Sequence, residues 1–104
     1  MQRGEVWWAD LPAPVGPRPV VILTRDSVAN TSGSVVVGLV TRTVRGMPTE
    51  VRLGRREGLP MPSVANLDNI LTVPRARLIR HMGACSRQKI SEIDAALKVA
   101  LGLE

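Results

Sequence analysis

The spacing of apolar residues changes several times along the chain. From Arg3 to Leu11, apolar and polar side chains alternate loosely around the pair Trp7 and Trp8, which is the pattern of a strand. Pro12, Pro14, Gly16 and Pro17 then mark a tight loop. The runs Arg18–Thr24 and Ser34–Thr41 are short, continuous and rich in β-branched residues, so they predict buried strands. Pro19 has no backbone donor and is expected at a strand start or on an edge. Residues 25–33 between these runs read as a polar loop, and Arg42–Pro48 as a basic loop closed by Gly46 and Pro48. Thr49–Leu53 alternates again, as a half-exposed strand does. After turn material from Gly54 to Pro62, Ser63–Leu67 and Asn69–Val73 read as two strand pieces broken at Asp68. Pro74–Arg77 reads as one helical turn and Leu78–Met82 as a final strand.

Beyond Cys85 the period becomes helical. Ser86 is a good N-cap, and Ile90, Ile93, Leu97, Ala100 and Leu101 recur on one helical face. A helix over 86–101 is predicted, with Arg87, Glu92, Asp94 and Lys98 in solvent. Short strands followed by one helix give a mainly β class with α. The expected form is a small, strongly bent β-barrel or half-open sheet with the terminal helix packed on it. A length of 104 residues predicts one domain, 1–104. A domain this small leaves much apolar surface uncovered, which points to a homodimer.

Composition narrows the partners. No apolar run approaches the roughly 20 residues of a membrane span. The start, Met1 to Glu5, carries a charged pair and no apolar stretch, unlike a signal peptide, and the single cysteine cannot form an internal disulfide. These features lead to the expectation of a cytoplasmic protein. Fourteen Lys and Arg stand against nine Asp and Glu, for a net charge of +5. Twelve of the fourteen are arginines, whose planar fork of donors suits phosphate. Residues 86–104 are neutral, so the excess lies wholly in the β part. A polyanion is the natural partner of such a surface.

Most catalytic templates are absent: there is no phosphate-binding Gly-Lys loop and no nucleophile elbow. His81 is the only histidine, which excludes a paired-histidine nuclease and a histidine-rich metal site, and it is read as a surface or packing residue. Cys85 lacks a basic partner and is expected to be buried as an apolar residue. Trp7 and Trp8 fall on opposite faces of a strand, so at most one is core; the other is expected to be a contact residue rather than a stacking platform. Without Phe or Tyr, the chain is not an aromatic-rich RNA-binding sheet. What remains is a pair of strand ends. Arg18 opens one buried strand; Thr41 closes the next and is followed by Arg42, Thr43 and Arg45. If the strands are neighbours these ends converge, although each residue taken singly is accounted for by an ordinary strand terminus.

In order along nearly the whole chain, these segments resemble the MazF/PemK toxin endoribonucleases. The similarity runs through Arg3–Leu11, Arg18–Leu23, Val35–Thr43, Pro48–Val51, Gly58–Asn69, Thr72–Pro74, Arg77–Ile79 and the terminal stretch from Ser86. It implies a compact SH3-like barrel of the CcdB/PemK type, a homodimer, and cleavage of single-stranded RNA without a metal or other cofactor. It also implies 2′,3′-cyclic phosphate and 5′-hydroxyl ends, and an acidic antitoxin of the MazE type as inhibitor. Arg18 and Thr41 fall on the family's catalytic arginine and threonine, and Asp68 and Asn69 on a pair that contacts RNA bases. With Arg42, Thr43 and Arg45 these make up the expected RNA-binding set. The loop Pro12–Pro17 is shorter than in many members and lacks an acid, so no loop glutamate is available as a base. Two other readings remain open on the sequence: a gyrase poison of the same fold, and a non-catalytic RNA-binding barrel.

Overall fold

The computed structural model describes all 104 residues. Six strands and two helices follow one another as β1 (Glu5–Ala9), β2 (Arg18–Ile22), α1 (Asp26–Ala29), β3 (Ser34–Thr41), β4 (Glu50–Leu53), β5 (Ser63–Pro74), β6 (Leu78–Ala84) and α2 (Arg87–Leu101). The strands form one antiparallel sheet in the order β4-β5-β3-β2-β1-β6. The sheet does not close by strand pairing. It curls until the 3₁₀ turn Arg55–Glu57 that follows β4 meets β6 at the other edge. No helix is long and apolar enough to cross a membrane.

The continuous apolar runs have a simple cause: β2 and β3 are buried on both faces. Val6, Val21, Val40, Val51, Ala65 and Leu67 form the core on one side with Ile93 and Ala96 of α2. Val20, Ile22, Val35, Val37 and Leu39 form a second core on the other, where Leu11 and Val15 of the β1–β2 loop cover them. The pairing of β2 with β3 begins at Val20 and Leu39; Pro19, which has no N–H to donate, stands just outside it.

Three expectations change in detail. The polar loop 25–33 contains the one-turn helix α1. It is held from outside, since the Asp26 carboxylate accepts the Arg3 backbone N–H at 2.6 Å, a contact between distant segments. The two strand pieces around Asp68 are one strand, β5, with a bulge. Gly38 pairs with Ile70 and Leu39 with Asn66, so Leu67, Asp68 and Asn69 are extra. Leu67 turns into the core and its N–H donates to the Thr49 carbonyl at 2.9 Å, while Asp68 and Asn69 stay exposed. Finally, Leu101 is exposed and Ala96 takes its place in the buried stripe. At 100° per residue Leu101 stands about 80° round from Ile93 and about 140° from Ala96, off the face that packs on β4 and β5. The predicted cap is present, with the Ser86 hydroxyl accepting the Lys89 N–H.

Candidate active site

Beyond the last β2–β3 pair, the strand ends stand beside an open cavity of about 830 Å³. Carrying the pairing Val20↔Leu39 two residues further sets Arg18 opposite Thr41 across the β2–β3 seam. Both line the cavity, together with Arg42 and Thr43 at the start of the β3–β4 loop. Arg55 of the 3₁₀ turn and Arg80 of β6 complete a wall that holds four arginines and no acidic side chain. No group of three or more His, Cys, Asp or Glu side chains is placed to hold a metal ion.

The two strand-end residues each keep a donor that no protein group takes up. Arg18 is half-buried; one terminal nitrogen donates to the Val15 carbonyl at 2.9 Å, and its Nε is buried with no partner. An unmet buried N–H costs about 1–3 kcal/mol. The short β1–β2 loop thus has a positive role, since its Val15 carbonyl fixes one side of the guanidinium. Thr41 Oγ1 accepts the Thr43 backbone N–H at 3.2 Å, which leaves the hydroxyl hydrogen free to donate outward.

The remaining expected residues lie elsewhere. Arg45, Asp68 and Asn69 do not line the cavity. Arg45 is in the middle of the β3–β4 loop, where the Glu50 carboxylate accepts the backbone N–H groups of Arg45 and Met47 at 3.1 Å. Asp68 accepts the buried Thr49 hydroxyl at 2.6 Å, so the β5 bulge is tied to the end of the same loop. Arg55 and Arg80 carry no signal in the sequence, and of the Trp7–Trp8 pair, of which one is expected to be a contact residue, it is Trp8 that lines the cavity. Trp8 and Arg80 pair across β1 and β6, and that register becomes visible only once a strand from each end of the β region is brought together.

Trp7 and Trp8 do face opposite ways. Trp7 packs against the second core, donates its indole N–H to Glu5 Oε1 at 3.0 Å and meets the exposed His81 edge-on at 5.4 Å. Trp8 is in the cavity wall. A smaller recess of about 480 Å³ lies between the 3₁₀ turn and the start of α2, bordered by Arg56, Glu57, Cys85 and Lys89. Here burial, and then the Glu57 charge, push the Cys85 thiol up to about 11 against the pull of Lys89. Relative to an ordinary value of 9.0 this leaves about 100-fold less thiolate near neutral pH. Cys85 is therefore expected to alkylate with iodoacetamide at pH 8 about 100-fold more slowly than after unfolding; equal rates exclude this environment. Because the folded state favours the neutral thiol, this group's contribution to stability is complete below pH 9 and is lost as pH rises to about 11.

With this geometry in view, the family model for the PemK-like, MazF-like toxins of type II toxin–antitoxin systems matches residues 2–101. The chain belongs to that family. It is 42% identical over 103 residues to the probable endoribonuclease MazF2 of Mycobacterium tuberculosis, covering 98% of this chain and 99% of that protein. The solved structure of the M. tuberculosis toxin MazF-mt6 superposes with a TM-score of 0.90 at 35% identity, over 96% of this toxin and 98% of that chain. A mycobacterial endoribonuclease solved in complex with its cognate antitoxin superposes with a TM-score of 0.89 at 32% identity, over 100% and 97% of the two chains. The open sheet with its terminal helix is thus the barrel-like fold of these toxins.

Proposed function

We propose that this toxin is a sequence-specific, metal-independent endoribonuclease that cuts single-stranded RNA by attack of a 2′-hydroxyl on the adjacent phosphate. The observation that carries the reading is a cavity whose charged side chains are all arginines, with Arg18 and Thr41 side by side in its wall. In the step, water takes the 2′-hydroxyl proton as the 2′-oxygen forms a bond to phosphorus, the bond to the 5′-oxygen breaks as that oxygen takes a proton from water or from Arg18, and the products are a 2′,3′-cyclic phosphate and a 5′-hydroxyl. Negative charge gathers on the non-bridging oxygens on the way. Arg18 and Thr41 supply fixed donors to those oxygens, and Arg42, Arg55 and Arg80 supply field. The wall contains no carboxylate and no imidazole, so the rate rests on charge stabilisation rather than on a side-chain proton acceptor. Arg42 and Thr43 lead the strand away from the cavity, towards Arg45 and the Asp68–Asn69 bulge. The endoribonuclease names of the relatives support the same activity. Incubated with a long RNA in EDTA, the purified toxin is expected to cut at a small set of recurring sequences and to leave 5′ ends that a kinase labels without phosphatase treatment. An intact RNA overturns the proposal, as does cleavage only with added divalent metal.

The proposal extends to a cytoplasmic homodimer held inactive by an acidic antitoxin of the MazE type. Ile79, Val99, Leu101 and Leu103 leave apolar surface for the second copy to cover. The inhibitor's acidic residues meet the same arginines as the RNA, by charge complementarity. The double substitution Arg42→Glu with Arg45→Glu is expected to weaken RNA binding and slow inhibitor association. It also lowers the salt slope for RNA by about 0.7 for each phosphate no longer neutralised. Unchanged affinities and slope would remove this loop from the groove.

A further inference from the structure

The chain has two aromatic rings of the Phe, Trp and Tyr type, and one of them, Trp8, is in the wall of the arginine cavity. It is half-buried, fixed by its place in β1 between β2 and β6. Arg80, directly across on β6, carries its guanidinium carbon 6.0 Å from the indole centre and also lines the cavity. That separation is the outer limit of a cation–π attraction, so the cation is attracted to the ring without lying packed on it. Arg80 is exposed and takes part in no salt bridge. A strand whose phosphates meet Arg18 and Thr41 must place its bases somewhere, and single-stranded RNA is held chiefly by stacking on rings and guanidinium planes.

We infer that Trp8 is the surface on which a base of the bound strand stacks, with Arg80 as the cation closing over it. The inference rests on the ribonuclease reading and deepens it by naming what the cavity does with a base. Every base has a π face, so this contact adds affinity without choosing the base; sequence preference has to be read by other groups. Trp8 and Arg80 are accordingly binding residues whose loss weakens the grip on RNA.

Two 2′-O-methyl strands of equal length test this, neither of which can be cut: one of mixed sequence, and one abasic with the same phosphates. Stacking on this ring is expected to contribute about 5- to 150-fold to the parent toxin's preference for the base-bearing strand, the usual yield of one stacked base. Trp8→Ala should remove that factor and leave affinity for the abasic strand unchanged, while Trp8→Phe keeps part of it. A second measurement needs no change at position 8. In Trp7→Phe, Trp8 is the only fluorophore, and the base-bearing strand should quench it while the abasic strand does not. The inference is overturned if Trp8→Ala weakens both strands equally, which is a packing effect, if it weakens neither, or if quenching is the same for both. A toxin that leaves long RNA intact in EDTA overturns the ribonuclease reading, and this inference with it.

Discussion

Arg18→Ala is expected to lower the rate of RNA cleavage by about 10²–10³ in single-turnover assays, the usual cost of removing one fixed donor to a developing oxyanion. Arg18→Lys should recover little, because an ammonium is a point charge and cannot reproduce the fork held on one side by the Val15 carbonyl. The effect on stability is expected to be different. Arg18 keeps a buried Nε without a partner, which costs the folded state about 1–3 kcal/mol. An apolar side chain of similar length carries no such cost. Arg18→Met should therefore be inactive and close to the parent in stability, because relief of the unmet Nε offsets the lost hydrogen bond to the Val15 carbonyl. Thr41→Ala should lose less, and Thr41→Ser should keep the donor. An Arg18→Ala protein that cuts RNA at the parental rate, or an Arg18→Met protein that melts well below it, would show that the guanidinium is a structural tie.

The second large effect concerns the place where the sheet curls shut. Gly58, just after the 3₁₀ turn, and Gly83 on β6 touch backbone to backbone. A Cβ on Gly58 collides with the Met82 carbonyl, and one on Gly83 collides with the Glu57 carbonyl. Gly58 also has φ of 86°, whereas Gly46 has φ of 71° with open space around it. Alanine substitution separates the two costs. Gly46→Ala should lose about 1–2 kcal/mol, from the left-handed backbone alone. Gly83→Ala should lose about 1–3 kcal/mol from overpacking alone, and Gly58→Ala the larger sum of both. In a domain of this size each kcal/mol lowers Tm by about 4–8 °C. Gly58 and Met82 line the cavity, so the Gly58 variant should also lose cleavage beyond its loss of folded population. A Gly83→Ala protein melting with the parent would mean that the two edges do not press together as described.

Much of this was legible in the linear chain. The runs at Val20–Ile22 and Val35–Val40, the alternation at Glu50–Leu53, the Ser86 cap and the helical period after it are local signals. Side-chain period and turn chemistry act over a few residues, and tertiary contacts reinforced them here. Arg18 and Thr41 stood out because strand ends are marked by neighbouring Pro, Gly and charge. The charge excess over residues 1–85 pointed to a polyanion without any fold at all.

Other features depended on register and curvature, which no short window contains. Asp68 reads as a strand break until Gly38 and Leu39 on β3 show that β5 continues past three extra residues. The one-turn helix at Asp26 is held by Arg3, and Leu101 faces solvent because of how α2 is rotated on the sheet. Above all, the cavity wall is a tertiary product. Arg55 follows β4 at one edge of the sheet and Arg80 lies on β6 at the other, and the two line one cavity only because the sheet curls through a glycine contact. Alternation puts Trp7 and Trp8 on opposite faces without saying which is the contact residue; what stands opposite each face depends on which distant strand pairs with β1 and how far the sheet bends.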